Sequence, residues 1–546
     1  MRFTPTFART ALIALASACL ATTASAQQQD QASSQGGGTQ TFVQPYIEVS
    51  QVLTAELSPG DEVLTFTQIA AGVDANVQGR NSGVSVSLRY ERNIGYEDDA
   101  VDTDTLSGIA RASIAIVPRA ITFEAGALAS RTRIDNGGGV TSNPLVAEDQ
   151  ESQIYSLYAG PSIATRAGVL DITAQAQVGY TRLDVDDAVV NPEGNLVDAF
   201  DDSVTYSGRA RVGTRPGDPL PVGLAVEGGA FQEDVSNLDQ RIRDRFVRAE
   251  AILPVSDSLA FVGGIGYEDV EVSSRDALRD EEGNPVIGDD GRFVTDDSQP
   301  RQIAFDVDGL IWDVGVQWRP SSRTSLSATV GRRYDSTTYY GNFTYIPDRK
   351  SAFSVNVYDG ITSFGGALVN SLSGVSSDFT AARNALTGDF GGLVTGADGA
   401  EGLGLLGSVR SSSFRGRGGQ ISYQRELGRL TAAIAAGYDR REFIGAEGTV
   451  LEDLDGVADE SYYVTGTLSS QIGQSASFAA NAYVNWFTSG VDNSDVTGYG
   501  ASAAYNRAIS NKLTARAALS VDYIDSEFSD EDFAAASALV GLRYDF

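Results

Sequence analysis

The sequence predicts an all-β chain folded as a single large antiparallel transmembrane β-barrel. Three observations carry that expectation. Alternation of apolar and polar residues with period 2 recurs along the chain in runs of about ten residues. The connections alternate between tight turns and long acidic loops, the pattern of short periplasmic turns and long outer loops. Aromatic residues stand at strand ends, where interfacial girdles lie. Counting the alternating runs gives about 22 strands, with about 18 to 22 as the range and an even number expected.

The chain opens with an address. Arg2 and Arg9 make a positive start, residues 11–20 are a short apolar run, and Ala24-Ser25-Ala26 fits the small-residue cleavage rule. Residues 1–26 are therefore expected to be a cleaved signal for Sec-type export. The alternative, a lipoprotein cut before Cys19, lacks the large aliphatic residue three places upstream. Cleavage after Ala26 removes the only Cys and the only Met, and with Arg2 and Arg9 it takes the net charge from −32 to −34. No disulfide can then form, so the usual extracellular staple is absent. Residues 27–41, rich in Gln, Gly and Ser, read as a flexible lead. The barrel is expected over 42–546. Strands beginning by residue 42 leave no room for an N-terminal plug domain.

Strand after strand shows the same alternation. Leu170, Ile172, Ala174, Ala176, Val178 and Tyr180 oppose Asp171, Thr173, Gln175 and Gln177. Leu310, Trp312, Val314 and Trp318 oppose Asp313, Gly315 and Gln317, and the runs ending at Trp486 and Tyr523 repeat the pattern. Tight turns are read at 117–120, 254–257, 319–322 and 509–512. Long acidic loops are read around Asp98, over 184–202, 276–297, 452–460 and 525–532. After residue 26 no apolar run approaches the ~18 residues of a spanning helix. Only 42% of residues are apolar, which suits a thin lipid-facing skin around a polar lumen better than a single large core.

Composition closes off much chemistry. There is no His, so the usual general base and the commonest zinc ligand are missing. A surplus of 72 acidic over 40 basic residues argues against nucleic acid as a partner. No catalytic residue, metal ligand or cofactor is expected. The stretch 402–407 matches G-x-G-x-x-G but follows an acidic loop rather than a strand. Asp453-Leu-Asp455-Gly456 and Asp289-Asp290-Gly291 lack a complete calcium loop and read as solvated acidic loops.

The chain ends in a pattern of its own. Gly541, Tyr544 and Phe546 match the terminal targeting strand of bacterial outer-membrane barrels, so the barrel-assembly machinery is an expected partner. Leu539 stands where that pattern usually has a polar residue. The strand itself places Ala538, Val540, Leu542, Tyr544 and Phe546 on one face and Gly541, Arg543 and Asp545 on the other.

The blocks Phe42–Ala55 and Gly60–Asp74, with Thr338–Tyr345 and Val357–Gly360, resemble an outer-membrane β-barrel family associated with exopolysaccharide export and PEP-CTERM sorting systems. Relatives in that group sometimes carry the name preprotein translocase subunit. The resemblance implies an export-associated role with exopolysaccharide as a partner.

Alternation places Arg89, Arg209, Arg211, Arg333, Arg516 and Arg543 on the face away from lipid, with Asp171, Asp313, Asp439 and Asp522. Two readings stay open. The charges could pair to hold a wide barrel in shape. Alternatively, Arg89, Arg209, Arg211, Asp313, Arg333 and Arg516 line a path that favours anionic solutes or sugars, since the planar guanidinium binds carboxylate and phosphate bidentately. Residues 363–408 break the strand rhythm. Phe364, Leu368 and Leu372 recur at helical spacing, as do Phe379, Ala382 and Leu386. Such an insert either caps the outer surface or folds into the lumen, and its Gly/Ala-rich body favours the lumen. The expected protein is a non-enzymatic barrel in the Gram-negative outer membrane, in contact with lipid and lipopolysaccharide, and acting as a porin-like or export-associated pore. A closed structural or adhesive barrel is the alternative, with a carboxylate-dependent barrel enzyme behind it.

Overall fold

The first strand, Gln40–Ser58, pairs on one side with Val63–Gln78 and on the other with the last strand, Phe533–Asp545. Because the two ends of the chain meet, the sheet has no free edge. The computed structural model describes residues 40–96, 103–134, 140–141, 151–185, 199–288, 290–384, 386, 388, 390–396, 399–402, 409–491, 493–527 and 532–546. Within them, 22 strands form one antiparallel ring, each beside its sequence neighbour, as the alternating runs predict. The signal segment and nearly all of the flexible lead lie outside the described residues, as does most of the 184–202 loop.

Alternation sorts each strand into two faces. On the first strand Tyr46, Glu48, Ser50, Val52 and Thr54 are buried, whereas Ile47, Val49 and Leu53 are about half exposed. On Gln302–Ser321 the exposed set is Leu310, Trp312, Val314 and Trp318. An unbroken exposed belt of this kind is far larger than a soluble monomer carries. In a bilayer it is buried, and it marks the outer face as the lipid face. Exposed aromatics bound the belt at both ends. Trp318, Tyr345, Tyr423 and Tyr505 stand beside the short turns, and Tyr206, Tyr267, Trp486 and Tyr499 stand near the long loops.

The short turns close tightly. Ala120 N donates to Val117 O at 3.0 Å, and Gly168 and Gly428 take positive φ (63° and 68°) between consecutive strands. With an even strand count both termini come to this end. At the opposite, outer end, residues 275–288 and 290–301 belong to a structured loop. The Asn284 backbone N–H holds the Asp280 carboxyl below the usual range, and the Ser298 hydroxyl does the same for Asp296. Both turns are therefore stabilised above the ordinary carboxylate range and loosen as pH falls through and below it.

The insert departs from the ring at Thr362. It forms a helix, Phe364–Gly374, and a separate three-stranded antiparallel sheet of Phe379–Arg383, Phe390–Gly396 and Gly399–Gly402. The helical spacing of Phe364, Leu368 and Leu372 is realised. That of Phe379, Ala382 and Leu386 is not, because the chain turns back between Arg383 and Phe390, with Gly388 at φ 76°, into a hairpin. Among the described residues no helix is long and apolar enough to cross a membrane.

A ladder with no edge must rupture cooperatively. Unboiled protein is therefore expected to migrate differently from boiled protein on a detergent gel. Identical migration would contradict ring closure.

Candidate functional site

The helix of the insert is seated on Glu233, whose side chain is fully buried on the inner face of the strand Gly223–Val235. Glu233 Oε2 accepts from Ser363 N at 2.9 Å and from Thr362 Oγ1 at 3.2 Å, and Oε1 accepts from Gly366 N at 2.7 Å and from the Ser363 hydroxyl. Ser363 Oγ also accepts from Gly365 N at 3.2 Å, as an N-cap does. The first turn of a helix has amide groups with no internal partner and a positive dipole end. A buried carboxylate supplies the missing acceptors. A Cβ on Gly366 would lie 2.4 Å from Glu233 Oε2, so only glycine admits this approach.

The other end of the helix is also held. Arg111 Nη1 donates to the carbonyls of Leu372 and Ser373, both at 2.8 Å, which satisfies C-terminal acceptors with a cation. Between these ends Phe364, Leu368, Val369 and Leu372 pack on Ile109, Leu128, Ile154 and Leu183 of the wall and on Phe200 of the connection that precedes Asp202–Thr214. The chain then reaches the short-turn end, where Ser377 O accepts from Ser85 Oγ at 2.7 Å and from Gln78 Nε2 at 3.2 Å. It crosses the lumen as well. Leu386 packs with Val52, Ala504, Ala518 and Leu539, and Ala400 O accepts from Ser422 Oγ at 2.5 Å. On the way out, Phe200 N donates to Val409 O at 2.7 Å, and Gln240 binds Ser411 O and Ser413 N, each at 3.0 Å.

The inward charges sort into clusters. Arg89, 2% exposed, pairs with Glu48 and Glu91, each at 3.1 Å. Arg516 meets the other oxygen of Glu48 at 2.8 Å. Glu48 thus ties together strands on both sides of the seam where the ring closes. Farther round, Arg248 grips Asp313 bidentately, both contacts at 2.6 Å, and also Glu250 at 2.7 Å. Arg211 reaches Glu250 at 2.8 Å, and Arg209 pairs with Glu227 while leaving 61% of its side chain exposed. Arg333 binds Glu268 and Asp244 at 2.8 Å each. Arg543 pairs with Asp545 at 2.8 Å and stacks on the Tyr46 ring at 3.6 Å. Asp171 pairs with Arg215 and Asp439 with Arg441, and Asp522 accepts from Tyr483 OH at 3.0 Å.

Sequence reasoning missed Glu48, Glu227, Glu233, Arg248 and Glu250. The signal was available. Leu224 and Val226 set the outward parity of their strand, which sends Glu227 and Glu233 inward. At the C-terminus Gly541 faces Ser50, Tyr544 is outward, and the Tyr544 and Phe546 rings meet edge to face at 5.3 Å. Most of the G-x-G-x-x-G stretch and Asp289 lie outside the described residues. Among the described residues no three acidic or thiol side chains converge as metal ligands would.

A closed ring of 22 antiparallel strands with a lipid-facing apolar belt is a large outer-membrane β-barrel, and that membrane is where the protein resides. No family model matches the chain, and no curated protein does. Solved structures do align along most of it. The FrpB iron transporter from Neisseria meningitidis covers 92% of this chain and 81% of its own, at 10% identity and a TM-score of 0.43. The siderophore receptor PiuA from Acinetobacter baumannii covers 92% and 82%, at 8% identity and 0.42. The ferric-catecholate import receptor Fiu from E. coli K12, in its closed form, covers 91% and 81%, at 9% identity and 0.42. At such identities and scores no substrate carries over to this chain. The comparisons do correct the resemblance to exopolysaccharide-export and PEP-CTERM barrels. The aligned structures named above, with the copper transporter OprC, are metal and siderophore transporters and receptors rather than export barrels. The resembling blocks are strands of generic alternation, and alternation encodes a barrel rather than a cargo.

Proposed function

We propose that this barrel is a gated solute channel, non-enzymatic, whose insert is the plug. The observation that carries the reading is the seat of the helix. A fully buried carboxylate holds its N-terminus, an arginine holds its C-terminus, and the segment beyond bonds to both halves of the wall. A filler without a mechanical role needs only apolar contact. The reading also draws on the inward Arg candidates, since a wall of fixed ion pairs stays wetted and keeps its shape while the plug moves.

The test is conductance. Planar bilayers holding the full chain should show little current. Deleting residues 363–408 and joining the ends with a short Gly/Ser linker should raise single-channel conductance several-fold, because no bond of the ring is removed. Unchanged conductance in a deletion variant that keeps its heat-dependent migration would favour the closed structural barrel instead.

A further inference from the structure

We propose that the lumen wall from Asp202–Thr214 round to Ser336–Asp348 is a binding site for a small, uncharged, polyhydroxylated solute, of the size of a mono- or disaccharide. The proposal rests on the channel reading for the solute's route. The wall encloses a cavity of about 420 Å³, within the range of about 300–1,000 Å³ common for small-molecule sites. Among the described residues, none of the insert lines it.

Its lining fixes the chemistry. Three guanidinium groups, of Arg209, Arg248 and Arg333, and three carboxylates, of Glu227, Glu250 and Asp313, line it, so the formal charges of the lining balance. The pairs are already made, with Arg248 bound to Asp313 at 2.6 Å and to Glu250 at 2.7 Å. A charged ligand group would have to compete with the partners that Arg248, Glu250 and Asp313 already hold. A hydroxyl need not. It donates to a spare carboxylate lone pair and accepts from a spare guanidinium N–H, leaving the pair intact. Neighbouring hydroxyls of one molecule can do both at once, because acceptor and donor stand side by side. Gln317, Ser327, Thr329 and Thr338 extend the same neutral hydrogen-bonding surface, and Tyr340 adds an aromatic side chain to the lining. Gly264 keeps the space clear. A Cβ there would lie 2.2 Å from Arg248 Nε, so glycine lets that side chain lie flat on the wall.

The test uses the full chain in a detergent without a sugar headgroup, with sucrose as the probe in saturation-transfer NMR. Transfer to sucrose protons is expected. It should fall about fivefold, the value of a typical lost hydrogen bond, in Gln317→Leu, which leaves every ion pair in place. Asp313→Asn is the second variant, and heat-dependent migration reports folding for both. Equimolar sulfate should not displace the sugar. Absent transfer, displacement by sulfate, or full transfer in both folded variants would overturn the proposal. The channel reading fails separately. Conductance that rises on deletion of the insert without sucrose transfer removes the site alone, whereas transfer without such a rise removes the gate alone.

Discussion

Glu233→Leu is expected to unseat the insert while leaving the barrel intact. The variant keeps the apolar bulk of the side chain but strips the acceptor from Ser363 N and Gly366 N, which bind it at 2.9 and 2.7 Å. Each stranded buried donor costs on the order of 1–3 kcal/mol, so the seated state loses about 2–6 kcal/mol. Every 1.4 kcal/mol is about tenfold in an equilibrium, which raises the unseated fraction by a factor of roughly thirty to about twenty thousand. Bilayer recordings should show frequent openings absent from the parent. Protease added from outside should gain access to Arg383, which the seated insert holds on Ser87 and Gly388. Glu233→Gln, which keeps an acceptor oxygen, should show a smaller effect. Silent recordings from folded Glu233→Leu would remove Glu233 from any role in gating.

Deleting Phe546 should cut the amount of protein in the outer membrane to a small fraction, with little loss of intrinsic stability. Its side chain is 63% exposed to lipid, it meets the Tyr544 ring edge to face, and its N–H donates to Pro45 O at 3.1 Å. Losing those contacts costs about 1–3 kcal/mol out of a ladder of 22 strands. A defect confined to stability would leave surviving protein in the membrane. A defect in recognition by the assembly machinery leaves it in the periplasm. Fractionation therefore separates the two, and refolding of the variant in detergent should remain efficient. Normal outer-membrane levels would show that the Gly541/Tyr544/Phe546 pattern is not a signal in this chain.

The ring was legible in the sequence because a period of two is local. Any ten residues such as 310–319 carry it, and the count of such runs gives the number of strands. The partners of the inward charges were not legible. Glu48 and Arg516 lie 468 positions apart, and Arg248 and Asp313 lie 65 apart. Pairing across a closed sheet depends on stagger, which no single strand encodes. The insert was half legible. Phe364, Leu368 and Leu372 betrayed a helix because its wall-facing side is apolar. In Phe379–Leu386 the glycines that follow overruled the same spacing, and the acceptor for the first turn came from a strand about 130 residues upstream. The cargo was least legible of all, because the blocks that suggested it are wall.

The helix is clamped at both tips, by Glu233 at its start and by Arg111 at its finish, and the chain beyond it reaches Gln78 beside a short turn. Its 11 residues span about 16 Å, a large part of the ~25 Å apolar band. A tug along the barrel axis from the turn at Ser377 loads both clamps in parallel, so they resist together and must fail at once. Both of the plug's roots spring from the outer rim, at Thr362 and Phe414, so once freed it pivots on a double tether and cannot be lost.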